Sequence, residues 1–172
     1  MQKIVGFMGH IDSGKTTAAL HLVMQRQFLR RPFARSLKTM LMAIGLSPSH
    51  VDGDLKEEPC DLLCGVTPRA ALQSLGTEWG RQMIHQDLWI SLWAIDVART
   101  GKPVVADDVR FANEAAMIRK QGGIVVRIDR PSIGQTSKHA SENEIDLIRP
   151  DALIRNTGNL DDLCAAIDEI VR

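Results

Sequence analysis

Apolar residues along this chain follow two rhythms. Runs dominated by apolar residues occupy 3–8 (KIVGFM), 103–106 (PVVA), 124–129 (IVVRID) and 152–154 (ALI). Their length and β-branched content predict strands, the first three buried on both faces as in the middle of a parallel sheet and 152–154 a last short one. Between these runs, apolar positions recur every three or four residues. That spacing predicts helices over 14–25, 37–44, 69–75, 87–99, 112–121 and 160–170. In the last of these, Leu160, Leu163, Cys164, Ile167 and Ile170 form one stripe. Ser36, Thr67-Pro68 and Asn159 read as helix starts, and Gly45, Gly76, Gly101-Lys102-Pro103 and Gly122-Gly123 as stops. Arg31-Pro32-Phe33-Ala34 reads as a short edge strand, where a proline is tolerated. Residues 47–66, rich in Pro, Gly and acids, read as a mobile loop, and 79–85 as a separate segment after the Gly76 turn. Residues 130–148 read as a polar connection with one helical turn around 142–147.

Strands alternating with helices predict an α/β domain, a parallel sheet wrapped on both faces. Ligands of such sheets bind beyond the carboxyl ends of the strands. That rule directs attention to residues 9–16, 35–38, 107–110, 127–139 and 156–158. The length of 172 residues fits one domain with a real core. Lys plus Arg equals Asp plus Glu at 21 each, so net charge points to neither a nucleic acid polymer nor a membrane surface. No apolar run approaches the roughly 20 residues of a membrane span. The start reads as a first strand rather than a secretion signal. Three cysteines argue against a disulfide framework, and a reducing cytoplasm is the expected setting.

The first strand runs into Gly9-His10-Ile11-Asp12-Ser13-Gly14-Lys15-Thr16, followed by Thr17 and a helical pattern. This matches the phosphate-binding loop G-x-x-x-x-G-K-[ST] in full, with strand and helix on the correct sides. Glycines let the backbone N–H groups curl inward around a di- or triphosphate, and the helix start adds its unpaired N–H groups and positive dipole end. Lys15 is expected to reach the β- and γ-phosphates and Thr16 to complete coordination of Mg²⁺. His10 fills a variable position.

Other strand ends carry further chemistry. Asp107 and Asp108 stand where a phosphate-loop enzyme places the acid that orders Mg²⁺, although an Asp there also serves as a helix cap; the two are not separable by spacing. Arg110 follows within reach of a second phosphate. Arg35, Arg69 and Arg81 are each ordinary surface cations when taken singly. Arg69, however, stands in a first helical turn, a poor place for a cation. In Gly76-Thr77-Glu78-Trp79-Gly80-Arg81, an acid and a hydroxyl are suited to a nucleobase edge and Trp79 to stacking; a buried helix–helix turn is the competing reading. Trp89 and Trp93, four apart beside Leu88 and Leu92, read as core. Arg127, Arg130, Lys138 and His139 stand where a lid would close on phosphates, and ordinary surface polarity accounts for them equally well.

The phosphate loop, together with PFARSLK, TPRAALQSLGTEWGR, VVADDVRFANEA, HASE and RNTGNLDDL, resembles the deoxynucleoside monophosphate kinases of tailed bacteriophages over nearly the whole chain. The GTEWGR and DDVRFANE segments are the specific part. The resemblance implies a three-layer phosphate-loop kinase fold with a five-stranded parallel sheet. It implies one domain over 1–172, with a monophosphate-binding insert at about 31–100 and a lid at about 130–147. It implies transfer of the γ-phosphoryl group of ATP, with Mg²⁺, to a deoxynucleoside 5′-monophosphate. By position, Gly9 to Thr17 would hold ATP, and Asn156, Thr157 and Gly158 would lie near adenine. Thr16 and Asp107 or Asp108 would serve Mg²⁺. Arg35, Lys38, Arg69, Arg81, Asp108 and Arg110 would surround the acceptor, with Gly76, Thr77, Glu78 and Trp79 near its base. Lys15, Arg110 and Arg130 would stabilise the transferring group. The lid is poorer in arginine than the wider kinase class, which leaves Arg127, Arg130 and Lys138 for that task. Rival readings are a nucleoside or dephospho-coenzyme A kinase on the same fold, or an ATP-binding switch without catalysis. Base preference stays open, as does the choice between monomer and homodimer.

Overall fold

The computed structural model describes residues 2–131 and 144–172. The chain divides into two compact units, Met1–Phe33 with Asp96–Arg172, and Ala34–Ile95.

The first unit is built on five parallel strands: β1 (Ile4–Met8), β2 (Leu29–Arg30), β3 (Val104–Ala106), β4 (Ile124–Asp129) and β5 (Ala152–Arg155), in the order β2-β3-β1-β4-β5. All five residues of β1 are buried, as an unbroken apolar run in a central strand requires. The helices are α1 (Lys15–Arg26), α6 (Ala112–Lys120) and α7 (Leu160–Ile170). One face of the sheet (Val5, Phe7, Val105, Val126, Ile128) packs on Ala18, Ala19 and Leu22 of α1 and on Leu163 and Ile167 of α7. Leu160, expected in the α7 stripe, is exposed because it stands in the first turn. The Asn159 side chain accepts from the Asp162 N–H at 3.0 Å, and Asp162 accepts in return from the Asn159 N–H at 2.9 Å, closing the helix start. From β1 the chain goes to one side of the sheet to make β2 and β3, then to the other side to make β4. The carboxyl end of β1 is therefore the switch point where such sheets bind ligands.

The edge strand lies earlier than its sequence suggests. Leu29 N–H donates to Pro103 and Arg31 N–H to Val105, each at 2.8 Å, and Pro32 then has no N–H to extend the ladder. Ser36 is no cap. Ala34 holds the cap position of α2 (Arg35–Ala43), without a side-chain hydrogen bond.

The second unit holds α2, α3 (Pro48–Asp52), 3₁₀ turns at Asp54–Glu57 and Asp61–Leu63, α4 (Pro68–Ser74) and a ten-residue π-helix at Leu75–Ile84. The boundary to the first unit falls within α5 (Leu88–Thr100). Leu37, Leu41, Leu46, Val51, Leu72 and Trp89 form its core. The stretch read as a mobile loop is thus largely turns of helix. Ser47 starts α3 through its hydroxyl, 2.7 Å from Nδ1 of His50, and Val51 is anchored in the core. Gly76 does not stop α4: the helix continues with wider turns, and at its end the His85 N–H reaches back five residues to Gly80 at 3.0 Å. Among the described residues, no helix is long and apolar enough to cross a membrane.

Candidate active site

The loop after β1 has the geometry its sequence demands. Gly9 has φ 144° and Gly14 φ 107°, both in the region that favours glycine. A Cβ on Gly9 would also sit 2.3 Å from the Ile128 carbonyl oxygen, and one on Gly14 would sit 2.8 Å from Nδ2 of Asn156. The loop ends at the start of α1, which has no side-chain cap and no acid in its first turn. Its leading N–H groups and dipole therefore suit an anion. Lys15 Nζ donates to the His10 carbonyl at 2.5 Å. Thr16 and Thr17 are exposed, whereas Ser13 is buried. His10 Nε2 is buried and 3.6 Å from Asp146, beyond hydrogen-bond distance.

At the end of β3 the two aspartates part. Asp107 Oδ2 is 3.3 Å from the Thr16 hydroxyl, and its side chain is only 2% exposed. The Arg30 guanidinium grips it through Nε (2.9 Å to Oδ1, 3.0 Å to Oδ2) and Nη2 (2.8 Å to Oδ2). Asp108 Oδ1 accepts the Phe33 N–H at 2.8 Å and so ties the end of β3 to the segment after β2. Arg30 was missed by sequence reasoning because the strand that carries it was placed at 31–34.

Arg110 is half-buried in the turn before α6. Its N–H and that of Phe111 donate to Oε2 of Glu114, at 2.8 and 3.2 Å. Glu114 is buried, and its carboxylate closes the start of α6 although Phe111 offers no side-chain cap to mark that start in the sequence. Within β4, Arg127 donates to Asp129 at 2.7 Å and to Asp146 at 2.8 Å. Burial opposes its charge, but hydrogen bonds to Asp129 and Asp146 outweigh that and raise its pKa. Arg127 is therefore held by two carboxylates. Arg130 is exposed, and Lys138 and His139 lie outside the described residues. Beyond β5, Asn156 Nδ2 donates to the Ser13 carbonyl at 2.9 Å, so that amide braces the loop from below; Thr157 and Gly158 are exposed.

In the second unit two of the expected cations have acidic partners. Lys38 pairs with Asp52 and Arg69 with Glu57. The latter pair explains a cation in the first turn of α4: Glu57 offsets the unfavourable dipole. Arg35 is exposed, and Arg81 Nη1 lies 3.5 Å from the Gln86 carbonyl. On the π-helix, Thr77, Glu78 and Trp79 are exposed, whereas Gly80 is buried. A Cβ on Gly80 would lie 2.5 Å from the Trp89 ring, so this glycine is dictated by packing. Trp89 Nε1 donates to the Gly76 carbonyl at 2.8 Å, and its ring centroid is 6.1 Å from that of Trp79. Trp89 and Trp93 are core residues, as expected.

Comparison with known proteins adds to this geometry. The family model described as deoxynucleotide monophosphate kinase matches residues 65–167. A protein of Acanthamoeba polyphaga mimivirus, provisionally named deoxynucleotide monophosphate kinase, is 34% identical over 180 aligned positions, covering 95% of this chain and 93% of that protein. The deoxynucleoside-5′-monophosphate kinase of Escherichia phage T5 is 36% identical over 76 residues, 44% of this chain and 30% of that protein. Among solved structures, TT1252 from Thermus thermophilus aligns with a TM-score of 0.53 at 18% identity, over 98% of this chain and 96% of that one, a likeness of fold alone.

Proposed function

The chain belongs to the deoxynucleotide monophosphate kinase family, and from that premise we propose how its residues transfer the γ-phosphoryl group of ATP to a deoxynucleoside 5′-monophosphate. The observation that carries the reading is the phosphate loop at the switch point of a parallel sheet, with Asp107 against Thr16. The curled backbone of Gly9 to Thr17 and the uncapped start of α1 bind the triphosphate. Lys15 leaves the His10 carbonyl for the phosphates. Thr16 and Asp107 offer the hard oxygen donors that suit Mg²⁺, which when bound neutralises phosphate charge. Asp107, beside the loop hydroxyl, takes that role rather than Asp108, which anchors Phe33. Arg110, set by Glu114, faces the acceptor phosphate or the transferring group, and Arg130 assists from the lid segment.

For the acceptor, Arg35, Lys38, Arg69 and Arg81 supply charge, and the exposed Thr77, Glu78 and Trp79 of the π-helix meet the base. An acceptor phosphate is already anionic, so the residues need only position and stabilise, and no general base is assigned. A hydroxyl acceptor would require one, and a carboxylate gripped by a guanidinium, as Asp107 is, makes a poor base. The free cysteines fit a reducing cytoplasm, that of the host if the gene is viral. The test is a panel of deoxynucleoside monophosphates with ATP and Mg²⁺. At least one should stimulate ADP release; stimulation only by nucleosides, or by none, would overturn the reading.

A further inference from the structure

We propose that Arg30 is a positioning residue for the magnesium-ordering carboxylate, a role that rests on the reading of Asp107 given above. The sheet register creates the pair. Arg30 of β2 lies opposite Val105 of β3 in a parallel ladder, and Asp107 follows Val105 by two residues. Side chains two apart in an extended chain share a face, and directly paired residues do too. Arg30, Val105 and Asp107 therefore project to one side of the sheet. Val105 packs in the cluster that contains Ala18 and Ala19, which identifies that side as the one covered by α1, the helix that carries Thr16.

A buried carboxylate must be paired, and the kind of partner decides what it can do. A lysine would give a point charge and leave the carboxylate plane free to turn. The guanidinium fork reaches both oxygens, at 2.8 to 3.0 Å, and fixes the plane. The oxygen gripped by both Nε and Nη2, Oδ2, is also the one 3.3 Å from the Thr16 hydroxyl. Arg30 thus holds the side of Asp107 that addresses the loop, as a partner behind a metal-ordering ligand does. The strand end behind it is itself pinned by the Arg31 N–H on the Val105 carbonyl.

The experiment measures binding of a fluorescent ATP analogue to the full chain, in Mg²⁺ and in EDTA, for the wild type, Asp107→Asn, Arg30→Gln, Arg30→Lys and the double variant Arg30→Gln/Asp107→Asn. Arg30→Gln should lose about ten-fold or more in affinity in Mg²⁺, with little change in EDTA. The double variant should be no weaker than Asp107→Asn alone, and Arg30→Lys should lie between Arg30→Gln and the wild type. Equal losses in Mg²⁺ and EDTA would make Arg30 a direct nucleotide contact and overturn the proposal, as would full additivity in the double variant. Unfolding midpoints are recorded first. If Arg30→Gln does not fold, Arg30→Lys carries the test, and wild-type magnesium dependence in that variant overturns the proposal. An unchanged magnesium dependence in Asp107→Asn would instead remove the metal reading beneath it, whereas a defective Asp107→Asn beside a normal Arg30→Gln removes only the role of Arg30.

Discussion

The loop after β1 and the cations of the second unit, proposed above as donor and acceptor sites, stand in different states of readiness for an anion. Around the loop the scaffold is already assembled: glycines hold the curled backbone, Asn156 braces the Ser13 carbonyl, and α1 begins without a cap. In the insert, Lys38 and Arg69 are each held by a carboxylate, Asp52 and Glu57. A phosphate arriving at the loop finds the backbone already curled and the helix start uncapped. A phosphate arriving at the insert must displace acidic partners. Preorganisation of the first kind serves transition-state stabilisation, where reorganisation is costly. On the proposed function, exchange of these counter-ions, whose carboxylates are exposed, would let Lys38 and Arg69 bind and release an acceptor at every turnover.

The largest expected effect tests the prepared half. Lys15→Ala should reduce turnover by about a hundredfold or more, since it removes the loop's charge from the transferring group, while the thermal midpoint stays near that of the wild type. A variant that keeps most of its turnover would show that the loop is not the donor site. Next comes the packing of the insert. Gly80→Ala drives a methyl group into the Trp89 ring and should cost about 1–3 kcal/mol, read from the urea midpoint followed by tryptophan fluorescence. An unchanged midpoint would mean that Trp89 has room to shift.

The counter-ion contrast itself predicts a smaller effect of opposite sign. Glu57→Gln and Asp52→Asn each release a cation and should lower KM for the acceptor about two- to threefold, leaving KM for ATP alone. A raised or unaltered acceptor KM would end the competition argument. The smallest effect lies away from both sites, where Asp168 binds Arg26 and His21, each at 3.0 Å. Hydrogen bonds first from Arg26 and then from His21 hold its pKa below the ordinary carboxylate value. Its stabilising contribution is therefore present above that ordinary value and fades as pH falls through the lower folded one. Asp168→Asn should cost about 0.5 kcal/mol at neutral pH, discounted for solvent screening. Parallel urea titrations should show the gap closing in acid; a gap that widens there would contradict the assigned partners.

Much of the fold was legible. Strands β1, β3, β4 and β5 announced themselves as runs dominated by apolar residues, and the starts of α4 and α7 and the ends of α2, α5 and α6 fell within a few residues of their capping and glycine signals. The failures share a cause. β2 is two residues long and half-buried, too short to leave a periodic trace, and it exists because β3 offers it a ladder. Residues 47–66 looked irregular because their turns are held by Val51 in a small core rather than by local propensity. Gly76 looked like a stop, yet the helix passes through it, with the Gly76 carbonyl accepting from the Trp89 indole.

The donor loop was readable from sequence alone because its geometry is local. Eight consecutive residues supply the glycines, the lysine, the hydroxyl and the helix start, and the backbone needs little else to curl. The segments at residues 76–81 and 107–114 carried the resemblance to the kinase family, which the family model and the mimivirus relative then showed. Which aspartate faces the loop hydroxyl, and what holds it, was decided only in three dimensions. Arg30 and Asp107 are 77 residues apart, Ser13 and Asn156 are 143 apart, and neither pair shares a sequence signal. Strand register and the face covered by α1 bring them together, because a parallel sheet converts positions remote in sequence into neighbours at a single edge.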